Sequence, residues 1–145
     1  SLNMSEWSYC NFSSSFRQHG RQAVGPGPPV MVCLDLDQFY VQVHRRQDPT
    51  LMGLPVGVAQ NHELACVSYE ARRCGLHNRC LVADAKVRCP GMKMVPCNMD
   101  AIQAASAEFF DFVRAWTGMD VERGSIDEAF LDLTPLLMVK SPGNQ

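Results

Sequence analysis

A chain of 145 residues with 46% hydrophobic residues can bury the core of one globular domain, and no apolar run approaches the ~20 residues of a membrane-crossing helix. The net charge of −2, taken alone, speaks against a nucleic-acid binder. Seven cysteines, at positions 10, 33, 66, 74, 80, 89 and 97, form no Cys-x-x-Cys pair, which speaks against a zinc cage or a disulfide framework and for reduced, packed thiols in an intracellular protein.

In chain order, residues 1–29 are rich in Ser, Gly, Gln and Pro and end in GPGPP, the composition of a disordered leader without the apolar core of a secretory signal. Val30 to Leu36 alternates as a strand, with Val32, Leu34 and Leu36 on one face and Cys33 and Asp35 on the other. Asp37 opens a helix that runs to about Gln47, where QDP ends it. PVGVA (55–59) and LACVS (64–68) are short strands, and YEARR is a brief helical turn stopped by Gly75. Val82 to Cys89 is a second short helix halted by Pro90, and MKMV (92–95) is a strand. Ala101 to Trp116 carries an apolar helical stripe of Ile102, Ala105, Phe109, Val113 and Trp116, read as core. Two strands, MDVERGS and EAFLDL, flank Ile126 and Asp127, and Thr134 is placed to cap a last helix. No internal repeat is present.

Charge is unevenly spread. Between Tyr69 and Cys97 stand six basic residues (Arg72, Arg73, Arg79, Lys86, Arg88, Lys93) against two acidic ones (Glu70, Asp84), a balance of +4. From Asn98 to Gln145 there are eight acidic and three basic residues, a balance of −5. The first segment suits phosphate and the second suits cations, although for any single charge a solvated face is the plainer reading.

The acids carry the sharper signal. Asp35 ends the first strand, and Asp127 and Glu128 lie in GSIDEAFLD. Such carboxylates repel one another unless a cation intervenes, and hard oxygen ligands suit Mg²⁺. Two such ions, about 3.5–4 Å apart, can activate a hydroxyl and hold a leaving pyrophosphate. The Leu36 carbonyl is a further ligand candidate. In a regular strand Asp127 and Glu128 point to opposite faces, so both reach one ion only through a bend or bulge. Asp37 precedes Gln38, Phe39 and Tyr40, and capping of their amides is its expected role. The free amides of that helix suit an anion such as a triphosphate. The Tyr40 ring would then lie beside the sugar, where it excludes a 2′-hydroxyl. Ordinary packing is the plainer account of Phe39.

Taken together, DLDQFYVQV, PVGVAQ, SYEARRCG, DAKVRCPGMKMV and ERGSIDEAFLDLT occur in the order found in the Y-family of translesion DNA polymerases, which the chain resembles from Val30 to about Leu137. The resemblance implies an α/β fold: a mixed, mainly antiparallel palm sheet with packed helices and a small inserted fingers lobe. It assigns residues 30–52 and 96–145 to the palm and 53–95 to the fingers, with thumb and little finger outside these residues. It implies that Asp35, Asp127 and Glu128 are catalytic. With the Leu36 carbonyl they would hold two Mg²⁺, with Mn²⁺ a possible substitute. Tyr40 becomes the steric gate, with Phe39 beside it. Tyr69 and Arg72 contact the triphosphate, Lys86 screens phosphates or template, and Gln60 lies near the templating base. Arg is physically suited to its part, since its planar fork matches phosphate oxygens.

Two positions depart from the family pattern: Cys66 stands where a Thr is common, and Gly124 where an aromatic or Leu is common. The implied partners are primer-template DNA and a deoxynucleoside triphosphate, with no membrane. A replication clamp would be reached only through regions absent here. The resemblance also places the protein in the nucleus. The alternative is a catalytically inactive fragment or short isoform that binds a nucleotide or a partner. A phosphatase of the haloacid dehalogenase type, suggested by DLDQF, is disfavoured by Phe39 where that motif has Thr or Val.

Overall fold

The computed structural model describes residues 29–138, so the leader expected over residues 1–29 lies, but for Pro29, outside the described residues. The chain forms two compact units, Gln38–Ala105 and a second one made of the segments up to Asp37 and from Ser106 onward. Helices combine with one antiparallel and one mixed sheet, as the α/β expectation required.

The discontinuous unit is built on β1 (Met31–Asp35), β5 (Val121–Arg123) and β6 (Glu128–Asp132), in the order β1-β6-β5 and antiparallel throughout. Cys33 on β1 and Leu36 just after it are buried. The ladder continues past β6, where Leu133 N–H donates to the Val30 carbonyl at 2.8 Å. Val30 N–H donates to Thr134 Oγ1 at 2.9 Å, and the amide of Thr134 takes the Asp132 carboxylate. Thr134 therefore sits inside α5 (Thr134–Met138), and Asp132 supplies the cap expected of Thr134.

The continuous unit begins with α1 (Phe39–Gln47) and a short 3₁₀ turn, Pro49–Leu51. Strands β2 (Val56–Gln60), β3 (Glu63–Val67) and β4 (Lys93–Pro96) follow in the order β3-β2-β4, with β2 antiparallel to β3 and parallel to β4. Helices α2 (Tyr69–Arg72) and α3 (Val82–Arg88) lie between β3 and β4 in sequence. Val58 pairs with Cys66 and Ala59 with Leu64, so Ala65 is an extra residue on β3. This bulge turns Leu64 and Cys66 to opposite faces, although they stand two apart. Leu64 joins Val67, Ala71, Leu76, Cys80, Ala85 and Cys89 in one apolar cluster, and Cys66 joins Val41, Leu51, Val56 and Val58 in another.

Helix α4 (Met99–Thr117) runs through the division between the units. It starts earlier than the apolar stripe suggested because Asn98 Oδ1 accepts from Ala101 N–H at 3.1 Å. Ile102, Ala105, Phe109 and Val113 are buried as expected, but Trp116 is 70% exposed. Its indole stacks on Phe112 at 6.5 Å instead of entering the core. No helix among the described residues is long and apolar enough to cross a membrane.

Candidate active site

The antiparallel register sets Asp35, the last residue of β1, opposite Glu128, the first of β6. Asp127 lies in the bend just before β6, and its carbonyl accepts from Leu36 N–H at 3.0 Å. Asp35, Leu36, Asp127 and Glu128 therefore meet at one end of this sheet. Asp127 precedes the strand, so the strand alternation does not apply to Asp127 and Glu128. The Asp35 carboxyl is held above its ordinary value, first by partial burial and then by the like charges of Asp127, Glu128 and Asp37.

The carboxylates have other partners here. Ser125 Oγ donates to Asp127 Oδ1 at 2.6 Å, and Cys33 Sγ approaches Glu128 Oε1 at 3.4 Å. Among the described residues no three acidic, imidazole or thiol side chains already close around a common point. The donor chemistry, hard oxygens with a net negative charge, fits a divalent cation of the Mg²⁺ kind.

The turn that carries Asp127 is fixed by neutral and cationic groups the sequence did not single out. Gly124 and Ser125 amides both donate to the Glu128 carbonyl, at 2.8 and 3.3 Å. Ser106 on α4, fully buried, donates its hydroxyl to the Ile126 carbonyl. Arg123 lies 4.6 Å over the Phe110 ring, donates Nε to the Ser125 carbonyl at 3.2 Å, and donates Nη2 to Ser106 Oγ. A Cβ on Gly124 would run into the Phe130 ring and stand 3.0 Å from Glu128 Oε2, which explains a residue without side chain at this departure from the family pattern. The Ser-x-Asp spacing of Ser125 and Asp127, a common local turn, and the unusual Gly124 were the readable signs of this turn.

The remaining candidates belong to the continuous unit. Phe39 is buried and meets Tyr40 edge-on at 6.1 Å, and Tyr40 is half-buried against the cluster of Val41 and Val56. Helix α1 does not open on Asp37 as expected. Gln38 holds the N-cap position in a left-handed conformation, φ 53°, and does not cap with its side chain. Its Oε1 accepts from Tyr69 N–H at 2.8 Å and so ties the start of α1 to the start of α2.

Helix α2 presents Tyr69, 43% exposed, with the Arg72 guanidinium 5.5 Å from its ring centre. Ser68, fully buried, caps α2 by accepting from Ala71 N–H at 3.2 Å, and it also accepts from Val56 N–H at 2.9 Å. Behind α2, Arg45 and Glu70 pair at 2.9 Å, while Arg45 also donates to the Leu51 and Leu54 carbonyls. Lys86 is exposed on α3 and Gln60 is exposed at the end of β2.

Comparison with known proteins identifies the family. The model of the IMS: impB/mucB/samB family matches residues 34–144. The chain is 39% identical over 108 residues to a DNA polymerase IV of Actinobacillus pleuropneumoniae serotype 5b (strain L20), covering 72% of this chain and 30% of that protein. It is 36% identical over 115 residues to one of Ralstonia nicotianae, covering 77% and 32%, and 39% identical over 107 residues to one of Neisseria meningitidis serogroup B, covering 72% and 33%. The chain belongs to the impB/mucB/samB family, the Y-family of DNA-directed DNA polymerases, which are nucleotidyltransferases. It spans about a third of the length of these relatives. The comparison corrects one expectation: the relatives are bacterial, from cells without a nucleus, so the nuclear location does not stand.

Proposed function

We propose that these residues supply the metal-holding and nucleotide-contacting parts of a translesion DNA polymerase. Its reaction is the template-directed addition of a deoxynucleotide to a primer 3′ end, past template damage. Asp35, Asp127 and Glu128, with the Leu36 carbonyl, are the ligands for two Mg²⁺, and Mn²⁺ can replace them. Tyr40, packed beside Phe39, is the gate against a 2′-hydroxyl. Tyr69 and Arg72 receive the triphosphate, Lys86 screens phosphate, and Gln60 lies toward the template base. Residues 30–52 and 96–145 act as palm and 53–95 as fingers. The wording of the five motifs is most similar to DNA polymerase iota, and we read the chain as that kind of family member. A replication clamp would engage regions outside these residues.

The observation that carries this reading is the pairing of Asp35 with Glu128 across β1 and β6, with Asp127 in the adjoining bend, inside the region the family model matches. Catalysis by such a site consists of positioning and charge stabilisation, with no covalent intermediate. Paramagnetic broadening by Mn²⁺ tests the ligand set. Amide resonances of Asp35, Leu36, Asp127 and Glu128 are expected to broaden first, and Asp35→Asn combined with Asp127→Asn to abolish the effect. Broadening centred elsewhere, or unchanged in the double variant, rejects the site. Primer extension by a longer chain that contains these residues, beside its Asp127→Ala variant, tests the reaction; equal extension by the two rejects it.

The second reading is a nucleotide- or partner-binding module without polymerase activity of its own. Affinity for DNA rests on the number of phosphates contacted. Little or no extension is therefore expected from the 145 residues alone, and robust synthesis by them would remove this reading.

A further inference from the structure

Cys74 follows α2 in an exposed turn, with its amide on the Ala71 carbonyl at 3.0 Å and its sulfur 3.8 Å from the Glu70 carbonyl. Cys89 closes α3, with its amide on the Ala85 carbonyl at 2.9 Å, and is buried. Two contacts bring these two segments together. Ala71 and Leu76, on either side of Cys74, pack in the same apolar cluster as Cys89. Arg88 Nη1 reaches the Gly75 carbonyl at 3.5 Å. All of these residues lie within the continuous unit.

We propose that Cys74 and Cys89 form an oxidation site, in which a hydroperoxide converts the pair to a disulfide that ties the turn after α2 to the end of α3. Exposure sets the order of events, because solvent oxidant meets Cys74 and not the buried Cys89. The Cys74 thiolate attacks the peroxide oxygen, the O–O bond breaks, and Cys74 becomes a sulfenic acid as the alcohol (or water) leaves. The Cys89 sulfur then attacks the Cys74 sulfur, its proton goes to the departing hydroxyl, the S–O bond breaks, and water leaves. Two thiols are oxidised by two electrons in all, and one hydroperoxide is reduced. The Cys89 thiol is held above its ordinary value, first by the Cys74 thiol and then by burial. Helix α2 carries Tyr69 and Arg72, and α3 carries Lys86. The bridge would thus lock together two helices assigned to the nucleotide above, but its formation does not depend on that assignment.

The test uses the full 145-residue chain, reduced, freed of reductant and exposed to hydrogen peroxide, then alkylated under denaturing conditions and digested with trypsin. Cleavage after Arg73, Arg79, Arg88 and Lys93 puts Cys74, Cys80 and Cys89 on separate peptides. The expected result is joint loss of the alkylated Cys74 and Cys89 peptides, with one cross-linked product that dithiothreitol splits. The Cys80 peptide stays fully alkylated. In Cys89→Ser, dimedone is expected to trap Cys74 as the sulfenic adduct, and no cross-link forms. Cys74 oxidised further while Cys89 remains alkylated, or a bridge made through Cys80 or between two chains, overturns the proposal. The wild-type map alone decides this, whatever the fold of the variant.

Discussion

Replacing Ser68 with Ala removes one oxygen that serves two backbone amides. Ser68 and Val56 are both fully buried, so the Val56 N–H loses its 2.9 Å acceptor with no water to replace it. A buried donor left unsatisfied costs about 1–3 kcal/mol. The same oxygen caps α2 through Ala71 N–H at 3.2 Å, and loss of such a cap costs about 1 kcal/mol. Together these give roughly 2–4 kcal/mol, a large part of the ~5–15 kcal/mol that stabilises a typical domain. With a urea dependence of about 1–3 kcal/mol per molar, the midpoint should fall by about 1–2 M. Urea unfolding followed by circular dichroism measures this, and an unchanged slope would show that stability alone has moved. A midpoint within about 0.3 M of the wild type would mean that Ser68 Oγ does not hold these amides in solution, and the account of how α2 is anchored would fail.

Glu70→Gln should weaken the chain at neutral pH by about 1.5–3 kcal/mol, the range for a hydrogen bond to a charged partner. Burial works to raise the Glu70 carboxyl, but its own amide, Arg45 and Ser68 outweigh it and hold it below the ordinary 4.5. That contribution is present above the unfolded value and is lost as pH falls through the lower folded one, so melting curves of wild type and variant should converge in acid; a constant gap refutes the pairing. For Asp35 the sign reverses. Its folded value lies above 3.8, so the penalty is absent below 3.8 and complete above the raised value. Asp35→Asn should accordingly melt higher than wild type at pH near 7 and equally in strong acid, and added Mn²⁺ should narrow the neutral gap; a lower neutral midpoint contradicts the repulsion. Gly124→Ala should cost about 1–3 kcal/mol by overpacking against Phe130 and Glu128, and an unchanged melting temperature would show that the turn has room.

The sequence made the fold legible where pattern and punctuation coincide. β1, the Tyr69–Arg72 turn, the helix stopped by Pro90 and the long α4 all lie close to where alternation, Gly75, Pro90 and the apolar stripe put them. The failures have local causes. Asp37 was given the cap of α1 because an acid before a helix usually caps, but left-handed Gln38 starts the helix one residue later. Trp116 was placed in the core because it continues the apolar periodicity of α4, but its ring stacks on Phe112 and stays 70% exposed. The bulge at Ala65 could not be read because its cause is the pairing of β3 with β2, a contact no local pattern encodes. The acids of the candidate site were visible as acids, but their meeting required the β1–β6 register.

Two serines explain why the rest of the site was hidden. Ser106 stands beside the Asp127 turn through the Ile126 carbonyl, and Ser68 immediately precedes Tyr69. Both are fully buried, and each satisfies backbone groups of the segment that carries candidate residues. Serine suits this task because its hydroxyl both donates and accepts and its volume is small enough for a close-packed site. A reading by hydrophobicity counts it as a turn or surface residue, the opposite of its place here. Carboxylates that repel one another, and side chains left open for a ligand, cannot fix their own backbone. The rigidity has to come from neighbours with no charge of their own to expose, and these neighbours look least functional in a sequence.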